Sequence, residues 1–140
     1  MSLERFVEAQ AHVWESVLAE LSAGKKLTHW SWYTFPQIQG LGESVMSKRY
    51  AIQSIDEAVQ FWQHPVLGSR LRQCIDLMLG HEARFTPEEV LGPIDAIKLR
   101  SCLTLFERAV SEEPLFGEAL DDLYHGERDQ QTLKILASIA

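Results

Sequence analysis

Leu3, Phe6, Val7, Val13, Trp14, Val17, Leu18 and Leu21 recur at intervals of three and four residues. That spacing predicts one helix with a single apolar face. Ser2 stands where a hydroxyl caps a helix start. Gly24 stands where a left-handed residue ends one, and Lys25 and Lys26 then suit the negative end of the helix dipole. Gln10 interrupts the stripe. A buried amide must be hydrogen-bonded, so Gln10 needs a protein partner, a water or a ligand.

The pattern changes at "HWSWYTFPQIQGLGES", His29 to Ser44, where Pro36, Gly40 and Gly42 prevent a continuous helix. A short helix is expected from Ser44 to Tyr50. Ser54 and Glu57 have the spacing of a capping box before "AVQFWQ". His64-Pro65 breaks the chain and opens a helix carrying Val66, Leu67, Leu71, Cys74, Ile75 and Met78 inward as far as Gly80. "TPEE", Thr86 to Glu89, starts a brief helix that Gly92-Pro93 interrupts. The most central helix is predicted from about Ile94 to Val110, with a stripe of Leu99, Cys102, Leu103, Phe106, Ala109 and Val110. Extended back one turn, that stripe reaches Asp95, with Lys98 beside it. Pro114 opens a helix ending at Tyr124. Asp129 can cap a last one that buries Leu133, Ile135 and Leu136. No stretch alternates like a strand. The expected fold is all-α: a single domain, residues 1–140, built as an irregular, orthogonal array of short helices.

Composition narrows the function classes. The 140 residues are 46% hydrophobic and 24% charged, which is the composition of a packed domain. A net charge of −7 opposes general binding to nucleic acid or anionic membrane. No apolar run approaches the ~20 residues of a spanning helix, and "MSLERFVEAQ" lacks the pattern of a signal peptide. Cys74 and Cys102 lie on apolar faces and read as buried thiols in a reducing compartment, so a cytoplasmic location is expected.

Several chemistries lack their motif. The five histidines, His12, His29, His64, His81 and His125, form no H-E-x-x-H, and no Cys/His cluster has zinc spacing, so no metal site is expected. "GLGES" is not a nucleophile elbow and "GLG" is too short for a phosphate-binding loop. No motif names a cofactor.

The aromatic cluster Trp30, Trp32, Tyr33 and Phe35 has two readings: a second core layer, or a pocket wall whose polar groups are Gln37, Ser44 and Ser47. Asp95 and Lys98, one turn apart, are either a structural ion pair or part of a site, since a buried pair seldom outperforms apolar residues in stability. His64 and Arg70 carry the same two readings, Arg70 as a possible anion partner.

"RFVEAQ", "HWSWYTFPQIQGLGESVMSKRYAI", "HPVLGSRL" and "DAIKLRSCLTLF" resemble a small bacterial all-helical family of unknown function, domain-of-unknown-function family 1810, whose members are sometimes labelled calpastatin. The resemblance runs from Leu3 to about Leu136. Cys102 stands where the family usually has a smaller residue. The resemblance implies a helical fold and no established activity. The label has no support here, because calpain inhibitors of that name act through disordered segments.

The leading expectation is a small-molecule binding domain with a phosphate- or carboxylate-bearing ligand. Gln10, Gln37, Asp95 and Lys98 would converge beside Trp30 and Trp32. Two other classes compete: an enzyme using Asp95, Lys98 or His64 as acid or base, and a protein-interaction module with Trp30 and Trp32 exposed. A nucleic-acid partner ranks last. Exposed tryptophans favour the interaction module, and tryptophans lining a concavity favour the pocket.

Overall fold

The computed structural model describes residues 2–139, so Met1 and Ala140, the outer limits of the predicted domain, lie outside it. The apolar stripe of the first predicted helix is divided between two helices, α1 (Glu4–Ala11) and α2 (Trp14–Ala23), which meet at His12 and Val13. No glycine or proline marks this junction. The halves pack on different partners: α1 lies against α3 (Ser31–Thr34), and α2 lies against α6 (Leu67–Gly80). Tertiary contacts therefore place the break, overriding a periodicity that runs through it.

The remaining helices are α4 (Val45–Arg49), α5 (Ile55–Gln63), α7 (Pro87–Leu91), α8 (Pro93–Ala109), α9 (Leu115–Tyr124) and α10 (Gln130–Ile139). The chain forms an all-helical single domain. Among the described residues there is no strand, only an isolated parallel bridge between Ile38 and Ile52. None of the helices is long and apolar enough to cross a membrane.

Helix α8 is the hub, packed against α5, α7, α9 and α10. Ser101 to Phe106 are all buried, so this helix is covered on every side along that stretch. Its hydroxyls are satisfied locally: Ser101 donates to the Ile97 carbonyl, and Thr104 donates to the Arg100 carbonyl and accepts from the Asp129 amide. A run of rings crosses the core, Phe6 on Phe61, Phe61 on Phe106, and Phe106 on Phe116, with centroids 5.1, 5.5 and 5.5 Å apart.

Local signals behave largely as the sequence predicts. Thr86 and Glu89 form a complete capping box at α7. Asp129 caps α10 through Thr132. The Ser54–Glu57 box is only half formed: Ser54 accepts the Glu57 amide, but the Glu57 carboxylate turns to the Gln53 amide and to Arg5. The long-range ion pair with Arg5 competes with the local cap.

Cys74 and Cys102 are free and buried. Burial pushes both thiols well above their ordinary range, and Arg70 near Cys74 offsets this only in part. Both are expected to resist a thiol reagent in the native protein at neutral pH and to react on unfolding. Rapid labelling of the folded chain would contradict that.

Candidate functional site

Gly24, with φ +77°, ends α2 in the left-handed region and turns the chain into the loop before α3. The carboxylate of Glu20, on the last turns of α2, organises that loop. It accepts hydrogen bonds from the Leu27 and Thr28 amides at 2.7 and 3.0 Å, from the Thr28 hydroxyl at 2.7 Å and from the Trp30 indole at 3.0 Å. Burial alone raises the pKa of this group. The hydrogen bonds from Thr28, Leu27 and Trp30 together outweigh it and hold the carboxyl at about 2, below the usual 4.5. The Lys26 amide, bonded to the Val90 carbonyl at 2.7 Å, pins the loop to α7.

So fixed, the loop sends the Lys26 side chain to the first turn of α8. Its ammonium lies 2.8 Å from Asp95 Oδ2 and 5.0 Å from the centre of the Trp30 ring. Lys98, one turn along α8, lies 3.6 Å from Asp95 Oδ1 and 4.7 Å from the centre of the Trp32 ring. The expected Asp95–Lys98 pair is therefore the looser of two, and Asp95 pairs chiefly with Lys26. Both lysines rest on tryptophan faces, a favourable place for a cation.

These side chains surround a cavity of about 30 Å³, also lined by His29 and Ser31. That is roughly the liquid volume of one water molecule. The Ser31 hydroxyl is buried and has no hydrogen-bond partner. Two ammonium groups face one carboxylate, so the walls carry excess positive charge in a chain of net charge −7.

The sequence-predicted residues are distributed over several places. Trp30, Trp32, Asp95 and Lys98 meet at this cleft. Trp30 is fully buried, stacked edge-on against the equally buried Phe35, while Trp32 is only partly covered. Gln10 is buried, donates to the Tyr33 carbonyl at 2.8 Å and accepts from Arg70 at 3.4 Å. Arg70 also lies 5.0 Å from the centre of the Trp14 ring, so it ties α6 to α1 and α2. Gln37 and Ser47 line a separate cavity of about 510 Å³ with Gln39, Lys48 and Gln53. Ser44 caps α4 by accepting the Ser47 amide. The His64 Nδ1 accepts from the Val66 and Leu67 amides at 3.1 and 3.3 Å, making it a cap for α6.

Lys26, His29 and Ser31 were not singled out from the sequence as site residues. Ser31 and His29 alternate with the tryptophans in "HWSW", a signal that was available. The turn of Lys26 toward Asp95 has no local signature. Among the described residues, no group of three or more His, Cys, Asp or Glu side chains is placed to hold a metal ion.

Comparison with known proteins agrees with the motif resemblance. No curated protein matches the chain. Its structure is similar to the crystal structure of the conserved hypothetical protein Rv1873 from Mycobacterium tuberculosis, at 45% identity and a TM-score of 0.93, with 96% of each chain covered. The family model described as Protein of unknown function (DUF1810) matches residues 1–136, and the chain belongs to that family.

Proposed function

We propose that the protein binds a small molecule through its anionic group, a carboxylate or phosphate oxygen seated in the cleft between Lys26 and Lys98. The observation that carries this reading is Lys98. Its ammonium has no hydrogen-bond acceptor among the described residues, since Asp95 lies at 3.6 Å, and the partnerless Ser31 hydroxyl lines the same cleft. An anion oxygen would accept from both. Unsatisfied buried donors cost about 1–3 kcal/mol each, so two of them around one cavity favour an occupant. The cavity takes the head of a ligand, with the remainder lying outside. Burial of Trp30 weakens the alternative of an exposed tryptophan pair docking a protein. The capping role of His64 weakens the enzyme alternative that uses it as acid or base. The two buried free thiols fit a reducing compartment, and we read the location as cytoplasmic.

A thermal-shift screen with carboxylate- and phosphate-bearing metabolites tests the proposal. A ligand at a hundred times its dissociation constant adds about 2.7 kcal/mol of stability. Lys98→Met keeps the apolar stem over Trp32 and removes the charge. It is expected to abolish the ligand-induced shift while the unliganded melting temperature stays within a few degrees. Ser31→Ala is expected to weaken binding by about tenfold, the share of one hydrogen bond to a charged group. Unchanged affinity in Lys98→Met, with a large loss of stability, would make the Asp95–Lys98 contact a purely structural pair.

A further inference from the structure

A second place in the fold has unmet hydrogen-bonding capacity, independent of the cleft. The C-terminal half of α8, the loop after α9 and the first turn of α10 border an open groove of about 830 Å³. Three arginines line it, and they differ in how they are used. Arg128 is fully engaged: it makes two bonds to Glu107 at 3.0 and 2.6 Å, one to Asp121 at 2.9 Å and one to the Gly126 carbonyl at 2.9 Å. It fastens the loop to α8. Arg108 is exposed at the rim.

Arg100 is different. Its Nη1 lies 3.7 Å from Glu127 Oε2 and its Nη2 lies 3.8 Å from Asp129 Oδ1. Both separations exceed a hydrogen bond, and its Nε is buried with no acceptor. Asp129 Oδ2 is occupied by the Thr132 amide and hydroxyl, which leaves Oδ1 facing the guanidinium. A charged pair held just beyond bonding distance calls for a bridging group. An oxygen roughly 2.8 Å from each atom of such a pair fits at the apex of a triangle on the groove side.

The bridging group must accept from the guanidinium and donate to the carboxylate. Of the common ligand groups, a hydroxyl does both. A phosphate or carboxylate oxygen would meet the acids unfavourably, and an ammonium would meet the arginine unfavourably. The two gaps share one planar guanidinium, whose forked terminal nitrogens present donors side by side. Two adjacent hydroxyls match that fork. We infer that the groove holds a sugar by a vicinal diol, one hydroxyl between Arg100 and Glu127 and its neighbour between Arg100 and Asp129. The side-chain amides of Gln130 and Gln131, each donor and acceptor, border the same groove and meet further hydroxyls.

The test is an NMR titration of the full chain with methyl β-D-ribofuranoside and methyl α-D-mannopyranoside, which carry a cis vicinal diol, and with methyl 2-deoxy-β-D-ribofuranoside, which lacks it. The expected result is a saturable shift of the Arg100 Nε–H signal and of the Gly126–Gln131 amides with at least one diol glycoside. The deoxy compound should bind about tenfold more weakly or not at all. Glu127→Ala removes a carboxylate that is 74% exposed, so the fold is retained, and it should weaken diol binding by about tenfold. No saturable shift with either diol glycoside would mean that water alone bridges these gaps and would overturn the inference. Equal affinity for the deoxy compound, or undiminished binding in Glu127→Ala, would overturn it as well.

Discussion

Glu20→Ala is expected to lose about 3–5 kcal/mol of folding stability at neutral pH, because four donors lose their common acceptor in a place that water reaches poorly. The side chain is one carboxylate, but it fixes the entire turn from Leu27 to Trp30. The pH dependence follows from the same contacts. The folded-state pKa is about 2 against 4.5 for an ordinary glutamate, so the stabilisation is fully present above pH 4.5 and is lost as pH falls toward 2. A lowering of that size contributes about 3 kcal/mol. Urea denaturation of parent and variant at neutral pH should therefore show a large gap that narrows on acidification between about pH 5 and pH 2. Glu20→Gln keeps one acceptor oxygen and should fall between them. A loss below about 1 kcal/mol at neutral pH, or a gap that does not change with pH, would mean that the loop is held by its apolar contacts.

The same residue shows where sequence reading reaches and where it stops. Helix α8, the Gly24 terminus, the capping box at Thr86 and the Pro65 start were visible because each rests on local chemistry: periodicity, a left-handed glycine, a hydroxyl and a fixed φ. The split between α1 and α2 was hidden, because its cause is contact with α3 and α6. Glu20 lies three residues beyond Val17, on the face that bears Gln10, so the polar interruption that drew attention to Gln10 applied equally to Glu20. What no stripe could show is the identity of the donors, which come from a loop seven to ten residues further on.

The candidate cleft was legible to a similar depth. Asp95 and Lys98 were odd because they extend an apolar stripe, and Trp30 and Trp32 were odd because of their density. These four do share one cleft. Gln10, Gln37 and His64 were odd for the same kind of reason, and the fold answers each differently: a backbone carbonyl for Gln10, a separate cavity for Gln37, a helix cap for His64. A polar residue on an apolar face signals that a partner exists, but the signal is the same whether the partner is a peptide group, an ion or a ligand. The choice is made by chain segments far away in sequence.

Gly68→Ala is expected to be among the most damaging single changes in the chain, for a reason that no contact list of side chains contains. Gly68 is buried in the first turn of α6, beside the C-terminal end of α5. A Cβ built there would stand 2.0 Å from the Trp62 carbonyl oxygen and 2.9 Å from its carbon. Both are backbone atoms, so no rotamer change relieves the overlap, and α5 must move. Helix α5 is packed on α8, and the Trp62 ring lies 4.8 Å from Phe116, so the displacement spreads into the core. A loss of about 3 kcal/mol or more is expected, at the upper end of overpacking effects. Gly80→Ala is the control. It sits at the other end of the same helix, with nothing within 4 Å of its would-be Cβ. There alanine should be neutral or stabilising by up to about 1 kcal/mol, through propensity and a less flexible unfolded chain. Opposite signs for two identical substitutions in one helix isolate the close approach from any general effect of alanine. Equal urea midpoints for the two variants would show that α5 yields at Trp62 without cost. The trace of this contact in the sequence is the glycine itself, kept inside "HPVLGSRL" one residue after the helix starts, where it costs about 1 kcal/mol in propensity relative to alanine.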